Sequence, residues 1–539
     1  MAETPASQSS AIPIPPPEGP SRLVWAGKEA PQRIRTGPLR LVETFQPRER
    51  TDLPLATAQP NCLIHGDNRE SLAHLLAQGY EGKIQLIYID PPFHTGNAFH
   101  SRVQLRGRDE RTGNPGGPVL GQRVQYSDAW AEEGYLQFMY ERLLLLRPLL
   151  RPQGVLWLHC DHRRQAHLLL LLEEVFGPAN YLNTVTWRSQ VARGAKVRAF
   201  YFPRSSHFLH IFARDRSAGP TWHRPQREVV FTRAEAALRF MEDEGGFFRT
   251  SHPGAYSFEK LVELHRQGRI YAPYGGQVVV DPEQRRVYAS NGGNIGIKYY
   301  LERRGRDRFV ARRAVDNIWD DIPGLGTVPS EDVNYPTQKT EALLRRIVET
   351  SSEPGDLVLD AFAGSGTTLA VAQALDRPWI GCDVSLGAIQ TCTRRLQRRI
   401  QEQLAAEPRP SLKSPPCFAV YRTPGADASP QPGSAQPDSP LQVAVRWERQ
   451  GNQLTITLES VHNPALEAPL ADWRTSVLSV AVDPAYDGQV FRAVHADAPK
   501  GKGRLVQGRY RIPLPPGPAR VAIKVVDMLG QEATVERAL

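Results

Sequence analysis

Two stretches of this chain carry residue types that could do chemistry. The first is residues 83–93, KIQLIYIDPPF. Residues 84–89 are a short apolar, β-branched run, the pattern of a strand buried on both faces. The run ends in Asp90-Pro91-Pro92-Phe93, and ligands of open α/β sheets sit beyond the carboxyl ends of the strands. Each proline fixes φ and lacks a backbone N–H, so the loop offers carbonyls with few competing donors. Asp90 precedes a proline and is biased to extended geometry, which delivers its carboxylate to the loop. Acceptors beside the flat face of Phe93 suit a planar group carrying an NH2. The same tetrapeptide also fits a plain strand end with a Pro-Pro stop and a capping Asp, and alone it does not separate the two.

The second stretch runs from Asp360 through Phe362, Gly364, Ser365 and Gly366 to Thr367 and Thr368. A strand, a turn with two glycines and a helix bring backbone N–H groups close to a nucleotide-like ligand. No lysine follows Gly366 where a phosphate-binding loop needs one, and the spacing is not G-x-G-x-x-G. About twenty residues on, Asp383 ends the next strand, where an acid can hold ribose hydroxyls through charge-assisted hydrogen bonds. A lone Gly-Ser-Gly is an ordinary turn; with Asp360 and Asp383 it reads as a cofactor site. An adenosine ligand without a phosphate-binding lysine points to S-adenosylmethionine.

Strands and helices must hold these loops. Residues 61–180 alternate short apolar strands with helices at 3.6-residue spacing, the rhythm of a parallel sheet. The rhythm fails over 181–330 and resumes over 331–405. Within the irregular region Arg188, Arg193, Lys196, Arg198 and Arg204 accompany Phe200, Tyr201 and Phe202 without an acid between residues 188 and 204. Bases mixed with aromatics suit phosphate contact and base stacking; a solvated loop is the plainer alternative. Residues 1–20, rich in Ser, Pro and Ala, are expected to be disordered, and 21–60 to form a wrapping arm. The Gly- and Arg-rich stretch 101–125 reads as a mobile loop. Residues 406–440 read as a linker, and 441–539 as a small β-sandwich of immunoglobulin-like type.

The formal charge of +9 and pI near 9.3 allow a polyanionic partner. Five scattered cysteines form no C-x-x-C pair, which argues against a disulfide framework or a zinc ribbon and fits a reducing, cytoplasmic setting. The leucine-rich runs are too short to span a bilayer. His159, His162 and His167 cluster in sequence but enter a helix from a buried strand, so they read as structural or surface histidines, and no metal is expected.

The chain resembles the DNA amino-methyltransferases that act on adenine N6 or cytosine N4, above all the modification (Mod) subunits of type III restriction systems. The matching stretches are His65-Gly66-Asp67-Asn68, Asp90 to Phe93, Tyr126-Ser127-Asp128-x-Trp130, Asn334-Tyr335-Pro336-Thr337-Gln338-Lys339, and Asp360 to Thr368. They occur in the order of the permuted beta group, with the catalytic motif before the cofactor motif. The family often has proline where Ala361 and Thr340 stand, and tyrosine where Phe93 stands. The resemblance implies a permuted Rossmann-like methyltransferase sheet with an inserted target-recognition region at 181–330. It implies methyl transfer from S-adenosylmethionine to N6 of a flipped-out adenine in double-stranded DNA. Asp90, Pro91, Pro92 and Phe93 would be catalytic. Asp360, Phe362, Gly364, Gly366, Thr367 and Asp383 would line the cofactor pocket, with Asp67, Thr337 and Lys339 at its methionine end. A restriction subunit and a second copy of the chain are the implied partners. Cytosine N4 is the alternative target, and a catalytically silent DNA-binding subunit the alternative class.

Overall fold

A computed structural model describes residues 10–29, 31, 33–47, 61–96, 98–107, 116–127, 132–191, 200–406, 415–427, 441–466 and 470–539. The chain divides into two compact units, one of residues 1–223 with 317–539, the other of residues 224–316.

The larger unit is organised on one sheet of eleven described strands. In chain order these are β1 (Arg40–Phe45), β2 (Asn61–His65), β3 (Ile84–Ile89), β4 (Leu150–Cys160), β5 (Tyr181–Arg188), β6 (Ser206–Ala213), β7 (Ile318–Trp319), β8 (Val358–Asp360), β9 (Trp379–Asp383), β10 (Phe418–Arg422) and β11 (Phe491–Ala493). Their spatial order is β7-β5-β6-β4-β3-β8-β9-β2-β10-β1-β11. From β4 to β10 every neighbouring pair is parallel. Strands β5 and β6 extend that block antiparallel.

Helices α1 (Asn68–Ala77), α2 (Glu132–Leu149), α3 (Gln165–Phe176), α4 (Glu341–Ser351), α5 (Thr367–Ala374) and α6 (Leu386–Leu404) belong to the same unit. All six residues of β3 are buried, as a central parallel strand covered on both faces requires. Met139, Leu143 and Leu146 of α2 pack with Leu168 and Leu172 of α3 and with Ile87 and Leu156 of the sheet in one core.

Strand β8 comes late in the chain yet inserts beside β3, with Tyr88 opposite Asp360. Both chemical stretches therefore leave neighbouring parallel strands at the same carboxyl edge.

Several expectations are corrected. Of the stretch 1–20 expected to be disordered, residues 1–9 lie outside the described residues, and residues 10–20 are ordered: Ser10–Pro13 pairs with Arg33–Thr36, and the Gly19 N–H donates to the Glu174 carbonyl at 2.8 Å. This backbone pairing supplies order that apolar content alone would not. The stretch 101–125 is not simply a loop, since Ala98–Gln104 and Val119–Ser127 form an antiparallel hairpin. Val103 and Leu105 bury against Met528, so the hairpin is held by distant chain rather than by its own pattern. The span 406–440 is not wholly linker, because β10 lies within it; Phe418, Ala419 and Val420 are buried. The region 181–330 also begins too early and ends too late, as β5, β6 and β7 belong to the large sheet.

Beyond β10, residues 442–450, 453–462 and 509–513 form a three-stranded sheet, and 477–483, 495–497, 520–527 and 532–538 a four-stranded one. Leu454, Ile456, Val480 and Ile523 join the two in a common core. Strand β11 leaves this β region to pair with β1. Lys524 and Glu43, both nearly buried, form an ion pair between the same two parts. Burial pushes the Glu43 carboxyl up and the Lys524 ammonium opposes it. Removing one member of a buried pair strands the other charge, so Lys524→Met is expected to cost about 3–5 kcal/mol in chemical denaturation.

The smaller unit is built from short strands and two helices, Arg233–Arg239 and Phe258–Arg266. Gln226–Phe231 pairs antiparallel with Phe309–Ala314, and Gly246–Ser251 with Gly296–Tyr300. Phe231, Phe247 and Phe309 centre its core, the last two edge to face at 4.8 Å.

Candidate active site

The carboxyl edge of β3, β8 and β9 opens into a cavity of 280 Å3. Asp90 and Pro92 from the first stretch line it together with Asp360, Phe362, Gly364 and Thr367 from the second, and Asp383 from β9. The hollow is thus shared by the two loops that sequence reasoning treats separately.

The glycine turn is fixed from below. Gly364 and Gly366 have φ of 50° and 72°, left-handed values that favour glycine. A Cβ on Gly366 would stand 2.8 Å from Cys392 Sγ. The Gly366 N–H donates to the Ala363 carbonyl at 2.7 Å, and α5 starts directly after it. Asp360 accepts the Phe362 N–H at 3.0 Å. Asp383 accepts N–H bonds from Gly364 and Ser385, each at 2.8 Å. A carboxylate has about four lone-pair sites, so Asp383 keeps capacity for hydroxyls after fixing the turn. Burial pushes Asp360 up to about 7 and Asp383 up to about 6.

Asp67 caps α1 by accepting the Arg69 N–H at 2.8 Å and pairs with Arg142 at 2.7 Å. Thr337 has a φ of 63° and lines the cavity. Thr367 lines it too, but its hydroxyl is taken, donating to the Lys339 carbonyl at 3.2 Å and accepting from Arg395 at 2.9 Å. This bond ties the 337–339 turn to the glycine turn. Lys339 lines the cavity as well, and its ammonium faces Asp90 Oδ2, with the Thr337 carbonyl as second acceptor at 3.0 Å. It also stands 5.3 Å from the centre of the Phe93 ring.

Burial raises the Asp90 carboxyl above its usual range, and Lys339 opposes that rise. The other oxygen, Oδ1, is buried and accepts no hydrogen bond among the described residues. A buried acceptor without a donor is costly unless something fills it. A second cavity of 500 Å3 is lined by Phe93, Trp187, Tyr201, Arg204, His207 and Lys339. Lys339 thus lines both hollows, and Phe93 the second.

Of the residues assigned to DNA, Arg188 is exposed, and Tyr201 is 62% exposed with the Arg204 guanidinium 5.2 Å from its ring centre. Arg193, Lys196 and Arg198 lie outside the described residues, as do Asp128 and Trp130. Pro91 is buried.

The profile of the DNA methylase family matches residues 84–394, more than half of the sequence. The chain belongs to the DNA methylase family. That match starts at β3 and ends within α6, so it takes in both loops of the shared cavity. Among curated relatives, the type II methyltransferase M.EcaI of Enterobacter cloacae is 28% identical over 62% of this chain and 69% of its own length. The StyLTI Mod subunit of Salmonella typhimurium is 24% identical over 59% of this chain and 50% of its own. The DNA adenine methyltransferase YhdJ of Escherichia coli is 23% identical over 62% and 82%. This chain thus spans half the length of that Mod relative. Among solved structures, TTHA0409 of Thermus thermophilus is 16% identical with a TM-score of 0.33, over 67% of this chain and 99% of that one.

Residues that the sequence alone does not assign to the site stand beside this DNA methylase's first loop. His159 is the penultimate residue of β4, next to β3; its Nδ1 lies 2.9 Å from the Tyr88 hydroxyl and 3.8 Å from Asp90 Oδ1. His207, from β6, and Trp187, from β5, pack against it. The rule that led to Asp90, the carboxyl edge of a parallel strand, also marks His159. His207 needs the antiparallel register of β6 on β4, which no local pattern gives. Among the described residues no three His, Cys, Asp or Glu side chains are grouped to hold a metal.

Proposed function

We propose that this chain transfers a methyl group from S-adenosylmethionine to N6 of an adenine turned out of double-stranded DNA. The observation that carries this reading is the unfilled acceptor Asp90 Oδ1 in the wall of the cavity that holds the glycine turn. S-adenosylmethionine fits that cavity: glycines leave room for close backbone approach, and two buried carboxyls suit hydroxyl and cationic groups. Bound there, it supplies a methyl group on a positively charged sulfur. Asp383 would hold the ribose hydroxyls, with Asp360, Phe362, Gly364 and Gly366 around the adenosine.

A base stacked in a duplex cannot reach the site and must be flipped out. Phe93 offers the ring face on which it stacks, worth about 1–3 kcal/mol. Asp90 Oδ1 then accepts an N–H of the amino group. That bond draws the nitrogen towards tetrahedral geometry and directs its lone pair to the methyl. The interaction strengthens as positive charge develops on nitrogen, so it favours the transition state over the ground state. Lys339 favours the carboxylate form of Asp90 and fixes its rotamer through Oδ2. Arg188, Tyr201 and Arg204 would contact the DNA strand next to the second cavity.

The 224–316 unit is the proposed target-recognition element, and the C-terminal β region the immunoglobulin-like accessory element. A restriction subunit and a second copy of the chain are the proposed protein partners. Long-read detection of modified bases in a host expressing the chain tests the activity. The expected outcome is N6-methyladenine at one sequence context; unmodified DNA would overturn the reading.

The two buried carboxyls give opposite pH trends for binding and for stability. Asp383, near 6, loses its charge as pH falls, and with it the stronger form of its hydroxyl contacts. Cofactor affinity by calorimetry is expected to drop about tenfold from about pH 8 to about pH 5. The ligand-free fold moves the other way. An acid raised on folding binds its proton more tightly in the native state, so its contribution to stability is present at low pH. It is lost as pH rises through about 6 and about 7.

A further inference from the structure

We infer that His159 and His207 form the exit path for the proton that the target amino group loses on methylation. This rests on the proposed methyl transfer and adds residues that act after it.

Methylation of an amino nitrogen has a fixed proton count. The nitrogen lone pair forms the N–C bond, and the electron pair of the breaking C–S bond stays on sulfur. The nitrogen then carries a positive charge and must lose one proton. Asp90 Oδ1 is the buried acceptor beside it. Asp90 cannot pass that proton to Lys339, whose ammonium is already full and binds the other oxygen.

The next acceptor is His159 Nδ1, 3.8 Å from Oδ1. His159 is completely buried, and its Nε2 lies 2.9 Å from His207 Nδ1. His207 is only partly buried and lines the 500 Å3 cavity together with His162 and Arg163. With Nε2 of His159 protonated and Nδ1 accepting from the Tyr88 hydroxyl at 2.9 Å, the row is set for concerted transfer. The Asp90 proton moves to His159 Nδ1 as the Tyr88 hydroxyl turns away. The His159 Nε2 proton moves to His207 Nδ1, and the His207 Nε2 proton leaves to the cavity. One proton enters and one leaves.

Neither ring holds the charge for long. Burial, with Lys339 and the other imidazole adding to it, keeps His159 well below the usual histidine range. Burial brings His207 down to about 3, with Lys339, His162 and Arg163 adding to it. A bare structural role would need only one donor and one acceptor at position 207; a relay needs a ring that takes a proton on one nitrogen and gives one from the other.

The test is single-turnover methyl transfer to DNA by the full chain carrying His207→Ala or His207→Gln, with cofactor affinity measured separately by calorimetry. Glutamine can keep a hydrogen bond to His159 but cannot shuttle a proton. Both variants are expected to slow transfer about 100-fold at unchanged cofactor affinity, and added imidazole to restore part of the rate in His207→Ala alone. Nitrogen-15 spectra of the ligand-free chain are expected to show His159 neutral and protonated on Nε2. A wild-type rate for His207→Gln, or no imidazole rescue of His207→Ala, overturns the relay while the methyltransferase reading stands. A wild-type chain that transfers no methyl group overturns both.

Discussion

Asp90→Ala is expected to lower methyl transfer by a thousandfold or more while leaving cofactor affinity near that of the wild type. The side chain removed supplies the buried Oδ1, the proposed acceptor for the amino group. General-base and electrostatic contributions of this kind are each worth about 10²–10⁴-fold. The cofactor half of the cavity is built from β8, β9 and the glycine turn, whose hydrogen bonds do not involve Asp90. Lys339 would lose its ion-pair partner, but the Thr337 carbonyl and the bond from Thr367 to the Lys339 carbonyl still hold that turn. Stopped catalysis with intact calorimetric binding is the pattern to look for. A variant that methylates normally removes Asp90 from the chemistry.

Asp383→Ala is expected to fail at the other step. Its two oxygens accept the Gly364 and Ser385 N–H groups, and its remaining lone pairs are the proposed acceptors for the ribose hydroxyls. Losing charge-assisted bonds worth about 1.5–3 kcal/mol each should weaken cofactor binding by about 100-fold or more. Transfer at saturating cofactor should fall far less than in Asp90→Ala. Asp383→Asn, which keeps one carbonyl oxygen, is expected to lie between the alanine variant and the wild type. Equal loss of binding in Asp90→Ala and Asp383→Ala would mean the cavity does not divide as described.

The legible part of this site was the part written locally. Residues 84–93 are a buried strand ending in Asp-Pro-Pro-Phe, and the chain delivers that loop to the sheet edge as such a run must. The glycine turn needs positive φ at residues 364 and 366, and the sequence has glycine at both. The membership of β8 beside β3 was not local. It depends on strands 270 residues apart in register, and only the resemblance suggested it. The ion pair of Lys339 with Asp90 was hidden for the same reason, since the neighbours of Lys339 in sequence say nothing of Asp90 across the sheet. β10 was missed because Pro- and Ser-rich flanks hide a five-residue strand, and the 98–127 hairpin because its packing partner is Met528. His207 became visible only through the antiparallel pairing of β6 with β4. Local pattern fixes what an element is; the partners that give a side chain its chemistry come from the sheet order.

The most direct measurement is mass spectrometry of nucleosides from unmethylated plasmid DNA incubated with the chain and methyl-labelled S-adenosylmethionine, with Asp90→Ala in parallel. Labelled N6-methyladenine from the wild type and none from the variant is the expected result. No labelled nucleoside, or label in N4-methylcytosine, would contradict an adenine amino group seated between Asp90 and the glycine turn.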